Sequence, residues 1–165
     1  MQTLHELGTT FDAFGWLETV VRLVLAITAG AVLGWERERL GKPAGLRTHM
    51  MVALGSASFM LASIELGAQI ESESSTFRND PTRTLAGIIG GVGFLGAGTI
   101  IEARGAVQGI TTAASIWVIA AIGVACGSGL YQIAVTTVFL AFLVLTVIGY
   151  FERKAFDADD HAGES

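Results

Sequence analysis

Long apolar runs separated by short polar stretches dominate the hydrophobic pattern of this chain. Crossing the hydrocarbon core of a bilayer takes about 20 helical residues, and five runs approach or reach that length. Lipid cannot satisfy backbone hydrogen bonds, so each run is predicted to be an α-helix. The predicted spans are residues 16–35, 46–66, 84–101, 110–126 and 131–150. The pattern therefore predicts an all-α polytopic membrane helical bundle with about five transmembrane helices.

The polar flanks predict how this 16–150 transmembrane domain is oriented. Seven Lys or Arg residues lie in the 36–49 and 102–108 loops and the 151–154 end, against three on the other side. By the positive-inside rule those loops are predicted to be cytoplasmic. Residues 1–15 then form an external N-terminal segment. Residues 151–165 form a cytoplasmic acidic tail, which is predicted to be disordered.

The third run, residues 84–101, contains six glycines and no ionisable group. Each glycine costs a helix in water about 1 kcal/mol relative to alanine, whereas hydrocarbon leaves few alternatives to a helix. At 100° per residue the glycines gather on one face of the predicted helix. They are Gly87, Gly90, Gly91, Gly93, Gly96 and Gly98. This face predicts either close helix packing or backbone exposed to an ion or solute.

Composition narrows the classes of function. The chain is 52% hydrophobic and 15% charged, whereas soluble domains carry about 25% charged residues. A single cysteine, Cys126, excludes an internal disulfide. The sequence shows no nucleophile–base motif or metal-ligand spacing, and no Lys-Ser/Thr follows the glycines as in a P-loop. We expect a non-enzymatic protein of the lipid bilayer, without cofactor or nucleic-acid partner, and any bound metal stays unknown.

Charged side chains cluster at the predicted membrane interfaces. Between the first two spans they could form a self-neutralised network that joins two helix ends, or they could bind an ion or a partner. On the other side, Asp80 before Pro81 predicts a helix N-cap. A carboxylate there could instead meet a hydrated cation such as magnesium. The candidate residues are Glu36, Arg37, Glu38, Arg39, Arg47, His49, Asp80 and Arg83.

Two other spans carry polar or small residues that matter for packing. Thr111, Thr112 and Ser115 open the fourth span. They could hydrogen-bond to carbonyls of their own helix or across to the glycine-faced neighbour, or they could line a polar pathway. In the first span, Gly30 and Gly34 form a Gly-x-x-x-Gly. Glu18 and Arg22 have helical ion-pair spacing, and the Arg22 side chain is expected to reach the membrane interface.

Three long motifs resemble the signatures of the MgtC/SapB membrane proteins. They are G-W-E-R-E-R-L-G-K-P-A-G-L-R-T-H-M-M-V-A-L-G, then G-I-I-G-G-V-G-F-L-G-A-G-T-I-I, then V-Q-G-I-T-T-A-A-S-I-W-V-I-A-A-I-G-V-A-C-G-S-G-L-Y. The resemblance implies a prokaryotic inner-membrane protein of about five spans, linked to magnesium limitation and stress. It also implies a membrane partner, with the proton-driven ATP synthase as a candidate. Longer members carry a soluble C-terminal domain. Only about fifteen residues, most of them polar, follow Tyr150 here, so this chain resembles a short form, and virulence roles are not carried over.

Two hypotheses about function remain open. The first is a non-enzymatic protein of magnesium and stress adaptation that acts through a membrane partner. The second is a small oligomeric channel or transporter for magnesium or another cation, which uses the glycine-faced helix. Spans two to five lack an ionisable residue at mid-depth, which favours the first hypothesis. The glycine face predicts a homodimer or another homo-oligomer.

Overall fold

A computed structural model describes residues 15–73, 80–103, 106–149 and 151. Within these residues the chain forms five α-helices and one short β-hairpin. The helices are α1 (Trp16–Arg39), α2 (Leu46–Glu73), α3 (Pro81–Ala97), α4 (Ile110–Gly127) and α5 (Tyr131–Leu143). The antiparallel strands β1 (Ile101–Ala103) and β2 (Ala106–Gln108) connect α3 to α4, and a π-helical segment (Val144–Ile148) continues α5. The predicted all-α helical bundle is confirmed.

Helix α4 lies at the centre of the bundle and contacts each of the other four helices. Its apolar side chains supply much of the core: Ile119 and Ile122 are fully buried, and Ile116 is almost so. Helix α5 packs on the outside, where Val135 and Phe139 are mostly exposed. A bilayer would cover such apolar side chains favourably, whereas water would not.

Four helices of the described chain have the length and apolar composition to cross a membrane: Trp16–Arg39, Leu46–Ile70, Ile110–Gly127 and Tyr131–Ile148. The chain is thus a multi-pass membrane protein. Helix α3 has 17 residues, or about 25 Å at 1.5 Å per residue, which is marginal for a hydrocarbon core of about 30 Å. The fifth crossing therefore stays a prediction.

Several predicted boundaries differ from the structure. Helix α3 ends at Ala97, before the predicted limit of 101, because Gly98 and Thr99 form a turn and Ile101 begins β1. Helix α2 continues to Glu73, beyond the predicted limit of 66. The predicted 102–108 loop contains most of the β1–β2 hairpin. The predicted external segment (except Gly15) and the predicted acidic tail (except Phe151) lie outside the described residues.

Contacts between helix termini show that successive helices run in opposite directions. The last turn of α1 meets the first turns of α2 and α4 through Glu38 and Arg37. We call this side, with the hairpin, the hairpin end. At the opposite end, Arg22 near the start of α1 contacts Gly127 at the end of α4. Ser63 of α2 and Thr84 of α3 also hydrogen-bond at 2.7 Å.

Backbone contacts between helices depend on glycines of α1 and α4. A Cβ on Gly30 would lie 2.7 Å from the carbonyl oxygen of His49, and one on Gly127 would lie 2.6 Å from that of Ala57. Gly34 and Gly123 make equally close approaches to α2. Because no side chain fits at these four positions, α1 and α4 can approach α2 at backbone distance. Backbone, small side chains and the buried Leu33, Ile119 and Ile122 together fill the interior between these three helices.

Candidate functional site

Four polar side chains from three helices meet inside the bundle near the hairpin end. We call this group the buried polar cluster. It comprises Arg37 of α1, His49 of α2, and Thr112 and Ser115 of α4, and none is more than 6% exposed. Buried polar groups need hydrogen-bond partners, so these contacts fix how the three helices are aligned.

Arg37 connects α1 to the first turn of α4. One of its terminal nitrogens, Nη2, donates a hydrogen bond of 2.9 Å to the Thr112 hydroxyl. Its Nε atom is buried and has no hydrogen-bond partner among the described residues. Within the described chain, no carboxylate lies within 4.0 Å of this guanidinium. The positive charge of Arg37 is therefore only partly compensated.

His49 connects α2 to α4 and is fully buried. Its Nδ1 lies 2.9 Å from the carbonyl oxygen of Gly45, which can only accept, so Nδ1 carries the proton. In the neutral ring Nε2 then accepts from the Ser115 hydroxyl, 3.2 Å away. That hydroxyl also lies 2.8 Å from the carbonyl oxygen of Thr112 and shares its proton between two acceptors.

The self-neutralised network was one of two interpretations of the charges between α1 and α2, and it does not form within the described residues. Within the described residues, neither Glu36, Glu38, Arg39 nor Arg47 forms an ion pair within 4.0 Å. Glu38 instead accepts a hydrogen bond of 2.9 Å from the backbone amide of Leu46, the first residue of α2. The helix ends are joined by this cap and by neutral partners of Arg37 and His49, since burial favours contacts that leave few charges to desolvate.

Within the part of the chain that the structure describes, most of the glycine face of α3 is open. A Cβ added at Gly87, Gly90, Gly91 or Gly93 would meet nothing within 4 Å, and one at Gly98 would meet only its own helix. Only Gly96 approaches a neighbour, at 3.6 Å from the Ala113 side chain. Helix α3 instead packs through Ile88 and Val92, which are buried. The predicted close packing of this face is thus not made within the chain, and packing against another molecule stays a prediction.

An apolar groove runs between the glycine face and α2. Its volume is about 500 Å³, and it is lined by Gly87 and Gly91 together with Ser56 and Phe59 of α2. Phe59 is 67% exposed. The predicted hydrogen bonds from the fourth span to the glycine face are not made either. Thr112 and Ser115 face the buried polar cluster, and Thr111 is exposed at the hairpin end.

At the opposite end, Asp80 caps α3 as predicted. Its carboxylate accepts from the hydroxyl and the amide of Thr82, at 2.6 and 3.0 Å. These hydrogen bonds, with a smaller contribution from the positive charge of Arg83, hold the pKa of Asp80 below its usual value. Arg83 is exposed. No group of three His, Cys, Asp or Glu side chains within the described residues could hold a metal ion.

Sequence reasoning missed the second set of close-packed glycines and the role of Arg22. Gly123 and Gly127 have the same four-residue spacing as Gly30 and Gly34, and that spacing was the available signal. Arg22 is buried: it forms the predicted ion pair with Glu18 and donates a hydrogen bond of 2.7 Å to the carbonyl oxygen of Gly127. It caps the end of α4, whereas the sequence predicted that it would extend to the membrane interface.

Comparison with known proteins assigns the family. A family model described as the MgtC family matches residues 23–154, which include the whole buried polar cluster and the glycine face. The chain belongs to the MgtC family. The resemblance found in the three motifs is therefore confirmed. No solved structure matches this MgtC-family chain.

Curated relatives are about two fifths identical to this MgtC-family protein over the aligned residues. Protein SrpB of Synechococcus elongatus is 42% identical over 150 residues, covering 86% of this chain and 80% of its own. YhiD of Escherichia coli, whose name provisionally describes a magnesium transporter, is 44% identical over 144 residues, covering 87% of this chain and 66% of its own. Protein MgtC of Brucella abortus is 42% identical over 123 residues, covering 74% and 48%. This chain thus spans about half the length of that last relative.

Proposed function

We propose that this MgtC-family chain is a non-enzymatic inner-membrane protein of magnesium homeostasis and stress adaptation that acts through a membrane partner. Family membership and the names of its relatives support the link to magnesium. The main support for this mode of action is the difference between two sets of glycines. Those of α1 and α4 pack against α2, whereas Gly87 and Gly91 of α3 line the open groove.

The closed interior argues against a pathway through a single chain. Helices α1, α2 and α4 approach one another at backbone distance around Gly30, Gly34, Gly123 and Gly127. This packing leaves no side-chain-sized gap along the contacts, and the buried polar cluster lies at one end of the bundle. Ion pathways usually need a continuous series of polar groups or carbonyl oxygens across the membrane.

The open groove suits a helix from another membrane protein. Exposed glycine backbone lets a second helix approach closely, and Phe59 at the rim supplies apolar contact area. The proton-driven ATP synthase is the partner that the family resemblance suggested, and it remains a candidate within this proposal. The sidedness, with the N-terminus external and the C-terminus cytoplasmic, rests on the positive-inside rule.

The alternative is a small oligomeric channel or transporter for magnesium or another cation. The same open glycines favour it, because several copies could surround a pathway lined by α3 backbone. In that case the pathway would lie between copies and not inside one chain.

A matched pair of variants distinguishes the partner-directed protein from the oligomeric channel. Gly91→Leu fills the groove, whereas Gly93→Leu adds the same side chain to an open site that does not line the groove. We expect a host strain lacking the gene to grow poorly in low magnesium. Wild type and Gly93→Leu should restore growth, and Gly91→Leu should not, because its side chain blocks the approach of a partner helix.

Purified protein in liposomes should show no magnesium flux above that of empty liposomes. Robust magnesium flux that Gly91→Leu abolishes, with Gly93→Leu still active, would overturn the partner-directed proposal in favour of the channel. Normal growth of the deletion strain in low magnesium would remove the physiological assignment.

A further inference from the structure

A polar cavity lies at the hairpin end, beside the buried polar cluster. Its volume is about 820 Å³. Four parts of the chain enclose it: the end of α1 with the following turn, the end of β2, the first turn of α4, and the π-helical segment after α5. Neither the glycine groove nor the proposed partner surface includes it.

Two basic residues and no acidic residue line this cavity within the described chain. The basic residues are Arg37 and Lys42. Of the nearest carboxylates along α1, Glu38 binds the Leu46 amide, and Glu36 attracts Arg37 electrostatically but lies beyond 4.0 Å from it and does not line the cavity. A cavity bounded partly by apolar walls and lined only by positive charge attracts anions.

The burial and incomplete pairing of Arg37 indicate that a ligand binds in this cavity. Arg37 is 4% exposed, its Nε has no hydrogen-bond partner, and no carboxylate within the described residues pairs with it. Among the residues that the structure describes, its only hydrogen bond is to the neutral hydroxyl of Thr112. A buried charge is normally paired directly, and Glu36 acts on Arg37 only from beyond 4.0 Å, so an anion in this cavity would supply a counter-charge in direct contact.

The first turn of α4 provides a second, independent set of donors. Gly109 precedes the helix without a side-chain cap, and its carbonyl accepts the first helical bond from Ala113. The amides of Ile110, Thr111 and Thr112 therefore have no acceptor within α4, and all three residues line the cavity. The helix dipole adds to the attraction of these amides for negative charge.

Backbone geometry holds this turn against the hairpin. Gly109 has φ of +91°, a left-handed conformation that favours glycine. A Cβ at this position would overlap the carbonyl oxygen of Thr99. Only a glycine fits at this position between the hairpin and α4. The position of the first turn of α4 beside the cavity is therefore fixed.

We propose that this cavity binds a phosphate group through Arg37, Lys42 and the first-turn amides of α4. A guanidinium fork and a helix N-terminus both match the tetrahedral oxygens of phosphate. The apolar wall formed by Val144, Leu145 and Ile148 also suits a phosphate carried on an anionic phospholipid. The phosphate group is the shared chemistry, and the experiment separates the lipid headgroup from free phosphate.

Thermal unfolding of the purified full chain in detergent tests the proposal. The Cys126 thiol is buried, so a thiol-reactive dye reports when the bundle opens. At constant ionic strength, inorganic phosphate and dioctanoyl phosphatidylglycerol are titrated in parallel, with dioctanoyl glycerol as the phosphate-free control. We expect a saturable rise of the unfolding midpoint with at least one of the two phosphate compounds and none with the control.

Matched variants assign the effect to the cavity. Lys42→Gln should weaken the apparent affinity about tenfold, as expected for loss of one charge-assisted contact. Arg39→Gln removes an exposed base three residues earlier that does not line the cavity, and it should bind like wild type. Arg37→Gln should abolish the shift. If that variant fails to fold, Lys42→Gln carries the test alone.

Each outcome either supports or overturns the proposed phosphate site. A shift with inorganic phosphate supports a site for free phosphate. A shift with phosphatidylglycerol alone supports a lipid headgroup. The proposal is overturned if neither compound shifts the midpoint, if dioctanoyl glycerol acts as strongly as the phospholipid, or if Arg39→Gln weakens binding as much as Lys42→Gln.

Discussion

Single side chains at the two ends of the bundle determine which helices are joined. His49 is fully buried and uses both ring nitrogens, one toward Gly45 of its own helix start and one toward Ser115 of α4. A net contribution of about 1 kcal/mol is typical for each such hydrogen bond, and loss of one partner adds the cost of an unsatisfied buried group. His49 thus sets the register between α2 and α4.

Asp80 offers a test of electrostatics at the residue scale. Its pKa is lowered in the folded state by hydrogen bonds from Thr82, so its stabilising effect is present above the unfolded pKa of about 4. This effect is lost as pH falls through the lower, folded pKa. At pH values below about 4, we expect the thermal unfolding midpoint of wild type to decrease relative to that of Asp80→Asn.

Asparagine caps helices about as well as aspartate but does not titrate in this range, so Asp80→Asn isolates the ionisation. The measurement is the difference between the two midpoints as a function of pH. A constant difference from about pH 6 to about pH 3 would show that the carboxylate charge contributes nothing to the cap.

Helices in this bundle pack by two different means. Helices α1 and α4 approach α2 through glycines that leave no room for a side chain, whereas α3 approaches α4 through Ile88 and Val92. Dispersion contacts over the whole length of a close helix pair are the main attraction available in lipid, where the hydrophobic effect between helices is absent. The glycines of α1 and α4 therefore matter most for stability.

Gly123→Ala tests this difference at the scale of the element. A Cβ at residue 123 would lie 3.0 Å from both the Ala53 Cα and the Ser56 Cβ, so α2 and α4 must separate. We expect the free energy of unfolding to fall by about 1–3 kcal/mol. Gly55→Ala is the matched control, since a Cβ there meets nothing within 4 Å.

Alanine is the better helix former, so Gly55→Ala should leave the free energy of unfolding unchanged or raise it by up to about 1 kcal/mol. Both values come from reversible denaturation in the same detergent. Equal losses in the two variants would mean that the backbone contact between α2 and α4 contributes little.

At the scale of the whole molecule, the number of crossings depends on α3. Four helices have the length to span a membrane, whereas α3 with its 17 residues is marginal. The hairpin end nevertheless gathers the ends of α1 and α3 and the starts of α2 and α4. This arrangement requires α3 to extend from the opposite end to the hairpin end.

Cysteine labelling in intact cells tests the crossing by α3. In a Cys126→Ser background, we expect Lys42→Cys and Glu102→Cys to react with an impermeant thiol reagent from the same side, and Arg83→Cys from the other. All three positions lie outside the core and are exposed. Labelling of Arg83→Cys and Glu102→Cys from one side would show that α3 does not cross.

The amino-acid sequence by itself determined the class of the protein, the approximate helix positions, the cap at Asp80 and the family. Apolar run lengths and long motifs are local properties, so no tertiary contact was needed to recognise them. Only the tertiary structure decided which glycines pack. The glycines of α3 and those of α1 and α4 look alike in sequence, but a helix approaches closely only where a neighbour lies opposite. For the same reason the sequence indicates only that Arg37 and Lys42 are charges in the loop between the first two spans. Their partners, the first turn of α4 and the wall after α5, lie about 70 to 110 residues further along the chain and meet them only in the folded bundle.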